Sequence, residues 1–421
     1  MKSNYRKIGD FIQLVDERNK DLKVTKLLGL SISKQFIPSV ANTIGTNMKN
    51  YKIIRKNQFA CSTMQVRRDK KMPIALLQNF EEAIISQAYP VFKIIDETIL
   101  NSEYLMMWFS RSEFDRHACF LAIGGVRGSL EWEDFLEMPI PVPSIEKQHE
   151  IVKEYNTVAN RITLNETINK KLEDTAQALY KHWFVDFEFP NEQGKPYKSN
   201  GGKMVYNEEL DLEIPLGWEV GNIEALCNII DGDRGKNYPN QQDFLDSGHC
   251  LFLNAGNVSK TGFDFNNKSF ISKEKDELLR KGKLNRNDIV LTSRGTVGNI
   301  GFYSDLIEFE HLRINSGMVI FRAKVVDYSI FIYSLMRNEQ MSRNIENFIS
   351  GSAQPQLPIK DIKLIPVLIP NFNLILSFSK SIISIQNHLE IINKENRKLN
   401  TLQNLLLSKM SKVAIEKEMV C

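Results

Sequence analysis

The chain has 421 residues, of which 42% are hydrophobic and 25% charged, with a formal net charge of +3. This length predicts roughly two to four domains with real hydrophobic cores. No apolar stretch approaches the roughly 18 residues of a membrane helix, and the N-terminus lacks an apolar signal core, so we expect no membrane span. The five cysteines are scattered and none forms a CxxC pair. They indicate a reducing, cytoplasmic location and argue against a disulfide framework or a zinc site.

The charge is unevenly distributed along the chain. Residues 1–143 hold 20 basic and 16 acidic residues (+4), residues 144–213 hold 9 and 13 (−4), residues 214–370 hold 18 and 18 (zero), and residues 371–421 hold 7 and 4 (+3). No segment is a polybasic tail. Any nucleic-acid binding must therefore come from local patches rather than from bulk charge.

The chain contains an internal repeat. Residues 136–143 (LEMPIPVP) align with residues 363–370 (KLIPVLIP), 227 positions later, and a long helical pattern follows each segment. At the same offset the helical patterns align in five seven-residue steps: Ile151 with Phe378, Val158 with Ile385, Asn165 with Ile392, Leu172 with Leu399, and Leu179 with Leu406. Weaker matches elsewhere have offsets between about 215 and 230, as loop insertions would produce. The pattern predicts a duplicated domain rather than a solenoid.

The first part of each copy, residues 1–143 and 214–370, combines strand and helix signals. Short β-type runs such as Ile289–Thr292 and Met318–Phe321 are separated by Gly, Asn and Asp residues. Helical stretches are predicted at 98–115 and 328–349. The mixture is typical of an α+β globule.

The second part of each copy predicts one long helix, at 144–184 and at 371–413, with Ser144 and Asn371 as N-cap residues. The apolar stripe that repeats every seven residues along each helix, here called the seam, is long enough to need a partner helix. We predict that the two helices pair antiparallel as a coiled-coil spacer that separates and joins two tandem domains. The alternative is two amphipathic helices, each lying on its own globule. The residues expected to pair or to dock subunits are Ile151, Val158, Leu172, Leu179, Trp183, Ile385, Ile392, Leu399 and Leu406. The turn-rich composition of residues 185–213 predicts an ordered connector with tight turns. Residues 414–421 are expected to form a tail.

No catalytic motif is present. The sequence has no phosphate-binding GxxxxGK[ST] loop, no Asn-Pro-Pro or Asp-Pro-Pro methylation tetrapeptide and no clear nuclease pattern. The six histidines lie far apart without an HExxH motif, so we expect neither a catalytic residue nor a bound metal. The glycine cluster at 124–128 resembles a dinucleotide fingerprint only superficially and indicates a loop.

Polar, basic and glycine-rich loops remain as candidates for DNA binding. Glycine lets a backbone approach a phosphate, arginine can hydrogen-bond guanine through two donors, and glutamine can do so with adenine. The alternative is that each loop is an ordinary solvated turn. The candidate residues are Arg67, Arg68, Lys70, Lys71, Arg127 and Ser129 in the first copy, and Arg234, Lys236, Arg294, Ser352, Gln354 and Gln356 in the second.

Five segments carry a family resemblance. The most specific is 172–187 (LEDTAQALYKHWFVDF); the others are 16–20 (DERNK), 214–218 (IPLGW), 288–298 (DIVLTSRGTVG) and 350–357 (SGSAQPQL). Together they resemble the specificity subunits of type I restriction–modification enzymes, and the resemblance covers nearly the whole chain.

The resemblance implies that each globule is a target-recognition domain that reads one half of a bipartite double-stranded DNA site. It implies that the helices hold the two domains apart and dock two methyltransferase subunits, and restriction subunits through them. The chain itself would be non-catalytic and bind no cofactor. S-adenosylmethionine, ATP and magnesium would belong to partner subunits of a complex that methylates adenine and cleaves DNA.

The first copy departs from the family pattern. It has residues 124–129 where the second copy has 350–357, and Cys61–Met64 where the second has Leu291–Arg294. The two halves are therefore expected to read different sequences. Two other functions stay open, a coiled-coil scaffold without a DNA role and a self-sufficient DNA methyltransferase or nuclease, although the missing motifs count against the enzyme.

Overall fold

The structure is a computed structural model and describes residues 5–39, 46–64, 66–122, 128–351 and 355–411. The chain divides into two compact units. The first unit consists of residues 1–163 and 398–421, and the second consists of residues 164–397. Both units mix helices and strands, so the predicted α+β class is confirmed.

The described part of the first unit contains ten strands and four short helices before its long helix begins. The strands are β1 (Tyr5–Lys7), β2 (Ile12–Val15), β3 (Leu28–Leu30), β4 (Phe36–Pro38), β5 (Lys52–Arg55), β6 (Phe59–Cys61), β7 (Ile74–Leu76), β8 (Glu82–Ile85), β9 (Val91–Ile94) and β10 (Pro139–Pro141). The helices are α1 (Val66–Asp69), α2 (Ser102–Phe109), α3 (Ser112–Leu121) and α4 (Trp132–Glu137).

Two long helices, α5 (Ile145–Phe184) and α10 (Phe372–Lys409), each begin in one unit and end in the other. The strands of the second unit are β11 (Met204–Asn207), β12 (Leu212–Pro215), β13 (Glu219–Asn222), β14 (Cys227–Asp231), β15 (Cys250–Leu253), β16 (Val258–Ser259), β17 (Gly262–Phe263), β18 (Phe270–Ile271), β19 (Ile289–Thr292), β20 (Ile300–Phe302), β21 (Leu312–Ile314), β22 (Met318–Ala323) and β23 (Pro366–Ile369). Its short helices are α6 (Lys273–Leu278), α7 (Ser329–Arg337), α8 (Glu339–Phe348) and α9 (Ile359–Ile362).

The same antiparallel sheet is built in both units. Its strand order is β2-β9-β6-β7 in the first unit and β14-β22-β19-β20 in the second. A two-stranded pair closes each unit, β1 with β10 and β13 with β23. Two helices follow the last strand of this sheet along the chain, α2 and α3 after β9 in one unit and α7 and α8 after β22 in the other. The duplicated topology confirms the internal repeat.

Aromatic side chains form the core of the first unit. Phe59 and Phe92 face each other across β6 and β9, with ring centroids 5.0 Å apart and nearly parallel planes. Phe109 and Phe135 pack on the same rings from α2 and α4. All four side chains are fully buried.

The predicted helical stretches at 98–115 and 328–349 are each broken into two helices. Helix α2 ends at Phe109 and α3 begins at Ser112, while α7 ends at Arg337 and α8 begins at Glu339. In the second unit Asn338 causes the break, because its side-chain oxygen accepts a hydrogen bond from the Met341 amide and caps a new helix. The helical character predicted for both stretches is confirmed, and each stretch is made of two helices.

The beginnings of the long helices agree with the sequence. Asn371 Oδ1 accepts a hydrogen bond of 2.9 Å from the Leu374 amide, and Ser144 Oγ accepts one of 3.4 Å from the Lys147 amide. The described part of the second helix ends at Lys409, followed by a turn at 410–411. Neither helix has an apolar run suited to crossing a bilayer, and the same holds for every other helix in the described ranges.

The two long helices pair antiparallel within the second unit. Asn165 Nδ2 donates to Asn396 Oδ1, and Asn169 Nδ2 donates to Asn393 Oδ1, both at 2.8 Å. Residue numbers thus increase along one helix while they decrease along the other. This excludes the alternative in which each helix lies separately on its own globule.

The seam is less apolar than the seven-residue pattern suggested. Asn165 is 1% exposed and Gln386 4% exposed, in a region expected to be aliphatic. Paired amides inside a helix interface favour one register, because a shift would leave the buried amide of Asn165 without its partner Asn396. The apolar half of the seam lies nearer the second globule, where Trp183 and Phe378 are buried with ring centroids 5.7 Å apart.

One acidic side chain of α10 lies beside this polar region. Glu390 lines a cleft of about 480 Å³ that Arg337 and Tyr333 also border. Burial raises the pKa of Glu390 to about 7, and the positive charge of Arg397 opposes that rise. A carboxyl whose pKa is raised by folding destabilises the fold once it ionises, so stability falls as the pH rises from its ordinary value of 4.5 through about 7.

We expect Glu390→Gln to stabilise the second unit by about 2 kcal/mol at pH 8 and to have little effect near pH 4, where the carboxyl is mostly neutral in both states. Urea unfolding of the full chain at the two pH values measures this. Glu166→Gln, at an exposed residue on the same cleft, is the matched control. An equal effect of Glu390→Gln at both pH values would contradict the expectation.

Candidate nucleic-acid interface

In the second unit, the loops that contain the candidate residues lie in one row. The Ser293 and Arg294 amides both donate to the Gly317 carbonyl, at 2.8 and 3.1 Å. The Leu357 amide donates to the Ser293 carbonyl at 2.9 Å, and Arg294 forms a β-bridge with Gln356. The loop after β19, the loop before β22 and the segment before α9 are therefore held side by side by backbone hydrogen bonds.

The loop after β14 extends the row on its other side. Arg234 Nη2 donates to the Ser316 carbonyl at 3.1 Å and to Asp231 Oδ1 at 3.2 Å. Gly232 permits this approach, since a Cβ atom there would lie 2.1 Å from the Asn315 carbonyl oxygen. We call the set of segments 231–236, 293–298, 315–317, 350–351 and 355–357 the loop row.

The loop row has a surplus of positive charge. Arg234 and Lys236 are exposed, and Arg294 and Gln356 are partly exposed. Of the acidic side chains in the row, Asp231 is paired with Arg234. The other, Asp233, is buried and accepts backbone hydrogen bonds, as described below. A patch of cations and amide groups on glycine-rich turns can contact phosphates and base edges.

The first unit brings its two candidate segments together in the same way. The Leu130 amide donates to the Thr63 carbonyl at 2.9 Å, which is the counterpart of the Leu357–Ser293 hydrogen bond. Gly128 lies against Arg67, where a Cβ atom would be 3.0 Å from the Arg67 Cβ. The repeat therefore places corresponding loops next to each other in each unit, although their sequences differ.

The basic residues around α1 differ in their partners. Arg67, Arg68, Lys70 and Lys71 are all exposed. Arg68 Nε donates to Asp69 at 2.7 Å, an exposed pair that water and salt can screen. Lys70 has a left-handed backbone (φ +53°), which marks a sharp turn after α1.

Sequence reasoning missed the buried ion pair beneath this loop. Lys34 Nζ lies 2.8 Å from Asp115 Oδ1, and the same carboxylate oxygen accepts a hydrogen bond from the Met72 amide. Burial lowers the pKa of Lys34, and Asp115 opposes that shift. The pair ties the turn after β3 and helix α3 to the segment that follows Lys71. Lys34 has a left-handed backbone (φ +64°), which is unusual for lysine. Nothing in the local sequence indicates that its side chain is buried.

Three candidate residues, Arg127, Ser352 and Gln354, lie outside the described residues. Ser129 is partly exposed beside Gly128. The predicted helix-pairing residues are placed at different depths in the seam. Val158, Trp183 and Ile392 are buried, whereas Ile151, Leu172, Leu179, Ile385, Leu399 and Leu406 are partly exposed.

The partial exposure of these predicted residues follows from the way in which α5 and α10 pack on each other. On α10 the best-buried seam residues of the second unit are spaced by alternating steps of three and four, as in Ile375, Phe378 and Ile382. Ala176 and Leu389, which flank the seven-residue pattern in the sequence, are also buried. Tyr180, which the pattern did not include, is buried as well.

The described residues contain no group of three His, Cys, Asp or Glu side chains placed to hold a metal ion. The cysteines with described surroundings, Cys61, Cys119, Cys227 and Cys250, are free thiols. Burial raises the pKa of Cys227 to about 12, which leaves its thiol protonated at neutral pH.

A family model described as "Type I restriction modification DNA specificity domain" matches residues 2–174 and 215–404. The chain belongs to this family. The two matched ranges correspond to the two copies of the repeat, each with its loops and its long helix. The family model thus matches each copy of the repeat once.

Two specificity subunits of type I restriction enzymes have related sequences. The chain is 27% identical over 277 residues to the MjaIX specificity subunit of a type I restriction enzyme from Methanocaldococcus jannaschii, covering 66% of this chain and 60% of the relative. It is 26% identical over 289 residues to the MjaVIII specificity subunit of the same organism, covering 65% and 62%. The alignments thus span about three fifths of the length of these two relatives.

The fold is also found in a solved structure. The S subunit of a type I restriction–modification system from M. genitalium superposes with a TM-score of 0.56 at 16% identity, covering 97% of this chain and 96% of the other. At that identity the likeness concerns the fold.

Proposed function

We propose that this chain is the DNA-specificity subunit of a type I restriction–modification complex. Each unit would read one half of a bipartite double-stranded DNA site through its own loops. The observation that carries the proposal is the repeated loop arrangement, in which the Leu357–Ser293 and Leu130–Thr63 hydrogen bonds recur while the side chains around them differ. A shared framework with divergent loops suits two readers of different sequences.

The paired long helices support a spacer role. The part-buried amide pairs favour a single register, and a fixed register keeps a fixed length. Two recognition elements at a set separation would read half-sites at a set separation, so the unread bases between them would depend on the helices.

The proposed partners are two methyltransferase subunits, docked on the helices and the connector, with restriction subunits bound through them. The chain itself would perform no catalysis. S-adenosylmethionine, ATP and magnesium would be bound by the partner subunits, where the chemistry of adenine methylation and DNA cleavage would occur. A cytoplasmic complex would fit free cysteine thiols.

Mapping methylated adenines tests the function. The chain would be produced with its methyltransferase in a host without adenine methylation, and the genome sequenced for modified bases. We expect a bipartite motif with an unread spacer. Arg294→Ala should change base preference in one half of that motif only, with a loss of about 1–3 kcal/mol of discrimination if its two-donor contact with a base is removed.

Two features make this test specific. The unaltered half of the motif is an internal control for folding and assembly. Arg343→Ala removes an arginine that is paired with Glu339 on the surface of α8, outside the loop row, and should leave both halves unchanged. Methylation without any sequence motif would refute the recognition role. Methylation by the chain alone would favour the self-sufficient enzyme.

A further inference from the structure

A basic segment that the sequence did not single out adjoins the loop row. It consists of Arg280–Lys283, between α6 and β19. We propose that Arg280 and Lys281 bind the DNA phosphate backbone beside the half-site that the second unit reads. The proposal rests on the function given above and adds residues and a role to the same surface.

Asp233 holds this segment against the loop after β14. Its Oδ2 accepts a hydrogen bond of 2.6 Å from the Arg280 amide and one of 3.4 Å from the Lys281 amide. Its Oδ1 accepts one of 2.6 Å from the Gly235 amide. Burial alone would raise the pKa of Asp233, but these backbone donors outweigh burial and lower the pKa. The carboxylate therefore acts as a charged clamp between two loops 47 residues apart.

Glycines bring the two loops into contact. Gly282 has a left-handed backbone (φ +86°), and a Cβ atom there would lie 3.3 Å from the Gly232 Cα. At Gly235 a Cβ atom would lie 2.5 Å from Arg280 Nη2, so the Arg280 side chain crosses this glycine. Arg280 thereby comes next to Arg234 and Lys236.

The cations of the segment differ in how far they are engaged by the protein. The Arg280 side chain is 77% exposed and lies 3.8 Å from Asp233, whose oxygens already accept three backbone hydrogen bonds. Lys281 is exposed, while its carbonyl is fixed by Arg313 Nη1 at 2.6 Å. Lys283, by contrast, is bound to Asp276 at 2.5 Å. The first two cations remain available to a ligand on a backbone that is held in place.

Phosphate is the ligand that fits this arrangement. Arg280 and Lys281, together with Arg234 and Lys236, place four cations around glycine-containing turns. The acidic groups beside them are Asp233, whose carboxylate is held by backbone amides, and Asp231, which is paired with Arg234. Phosphate contacts fix the position of a protein on DNA without reading bases, and commonly flank the contacts that do. Arg294 and Gln356, further along the loop row, would then be nearer the bases.

Salt dependence of binding tests the proposal. The chain in complex with its methyltransferase would be titrated against a duplex carrying the mapped motif and against one with the second half-site scrambled, at several salt concentrations. Arg280→Ala and Lys281→Ala should each weaken binding to both duplexes by a similar factor. Each should also reduce the slope of log K against log salt by about 0.9, as loss of one phosphate contact requires.

Matched variants separate position from charge. Lys273→Ala removes one exposed cation at the far end of α6, where Lys273 lies 4.0 Å from Glu277, and should leave the slope unchanged. Gly235→Ala keeps every charge but displaces the Arg280 guanidinium, so it should weaken binding as Arg280→Ala does. Unchanged thermal unfolding of each variant would exclude a folding defect.

Failure of the phosphate role and failure of the proposed recognition function would give different binding results. If the unaltered complex binds both duplexes equally, the recognition function itself is refuted and the inference with it. If the unaltered complex discriminates but Arg280→Ala and Lys281→Ala leave the salt slope unchanged, only the phosphate role is refuted. A loss confined to the unscrambled duplex would also overturn it, because that would indicate base reading.

Discussion

Asp276→Ala is expected to lower the free energy of unfolding of the second unit by about 3–5 kcal/mol, as the loss of one partner of a buried ion pair does. Asp276 has no exposed surface and accepts a hydrogen bond of 2.7 Å from Arg313 Nε. Arg313 is 4% exposed, so its guanidinium would remain buried without a carboxylate. Lys283, at 2.5 Å, would lose the same partner.

The pH dependence of this cluster has a defined sign. Burial alone would raise the pKa of Asp276, but hydrogen bonds from Lys283 and Arg313 outweigh it, and the pKa is lowered from 3.8. The folded state therefore favours the ionised form. Its stabilising contribution is present above pH 3.8 and is lost as the pH falls through the lower folded-state pKa.

Urea unfolding of the full chain at neutral pH, followed by the fluorescence of the tryptophans, measures the loss. Glu277→Ala, at a largely exposed neighbour on α6, should change the stability by less than about 0.5 kcal/mol. The double variant Asp276→Ala with Arg313→Met should recover much of the stability, since no uncompensated charge is then buried. A loss below about 1 kcal/mol for Asp276→Ala would contradict the role of a buried partner.

Phe378→Ala is expected to cost about 3–5 kcal/mol, the usual range for removing a buried aromatic ring. Phe378 is completely buried on α10, with its ring centroid 4.9 Å from that of Phe184 and 5.9 Å from that of Tyr180. Phe331 of α7 packs on the same ring. The ring thus joins both long helices to the second globule, and its loss leaves a cavity that rigid helices cannot close.

Ile383→Ala is the control for this prediction. Ile383 is 41% exposed on the same helix, so its truncation removes little buried surface and should cost less than about 1 kcal/mol. Thermal unfolding and limited proteolysis of α10 in the two variants measure the difference. Equal stability of the two variants would show that the aromatic cluster does not hold the helix to the globule.

The local features of the fold could be predicted from the sequence, because they depend on neighbouring residues. Strand β19 occupies the predicted residues Ile289–Thr292, and Asn371 caps its helix as predicted. The repeat offset of 227 was visible because both copies keep the same spacing from β10 or β23 into the long helix. Hydrophobic periodicity and capping chemistry act over a few residues, so one sequence is enough to read them.

The candidate site could be predicted only in part. Arg234, Lys236, Arg294 and Gln356 stand out as polar or basic residues in glycine-rich segments, and the structure brings their loops into one row. Arg280 did not stand out, because its importance depends on Asp233, 47 residues earlier. Nothing near either residue in the sequence indicates that pairing.

The sequence by itself determined the duplication, the α+β class, the two long helices and the loops that differ between the copies. Only the tertiary structure decided which charges are buried, as in the Asp276–Arg313 and Lys34–Asp115 pairs, and which remain exposed, as at Arg280. It also decided that amides rather than aliphatic side chains fill part of the helix seam. The physical reason is that burial and pairing depend on residues distant in the chain, whereas periodicity and capping depend on residues within one or two turns.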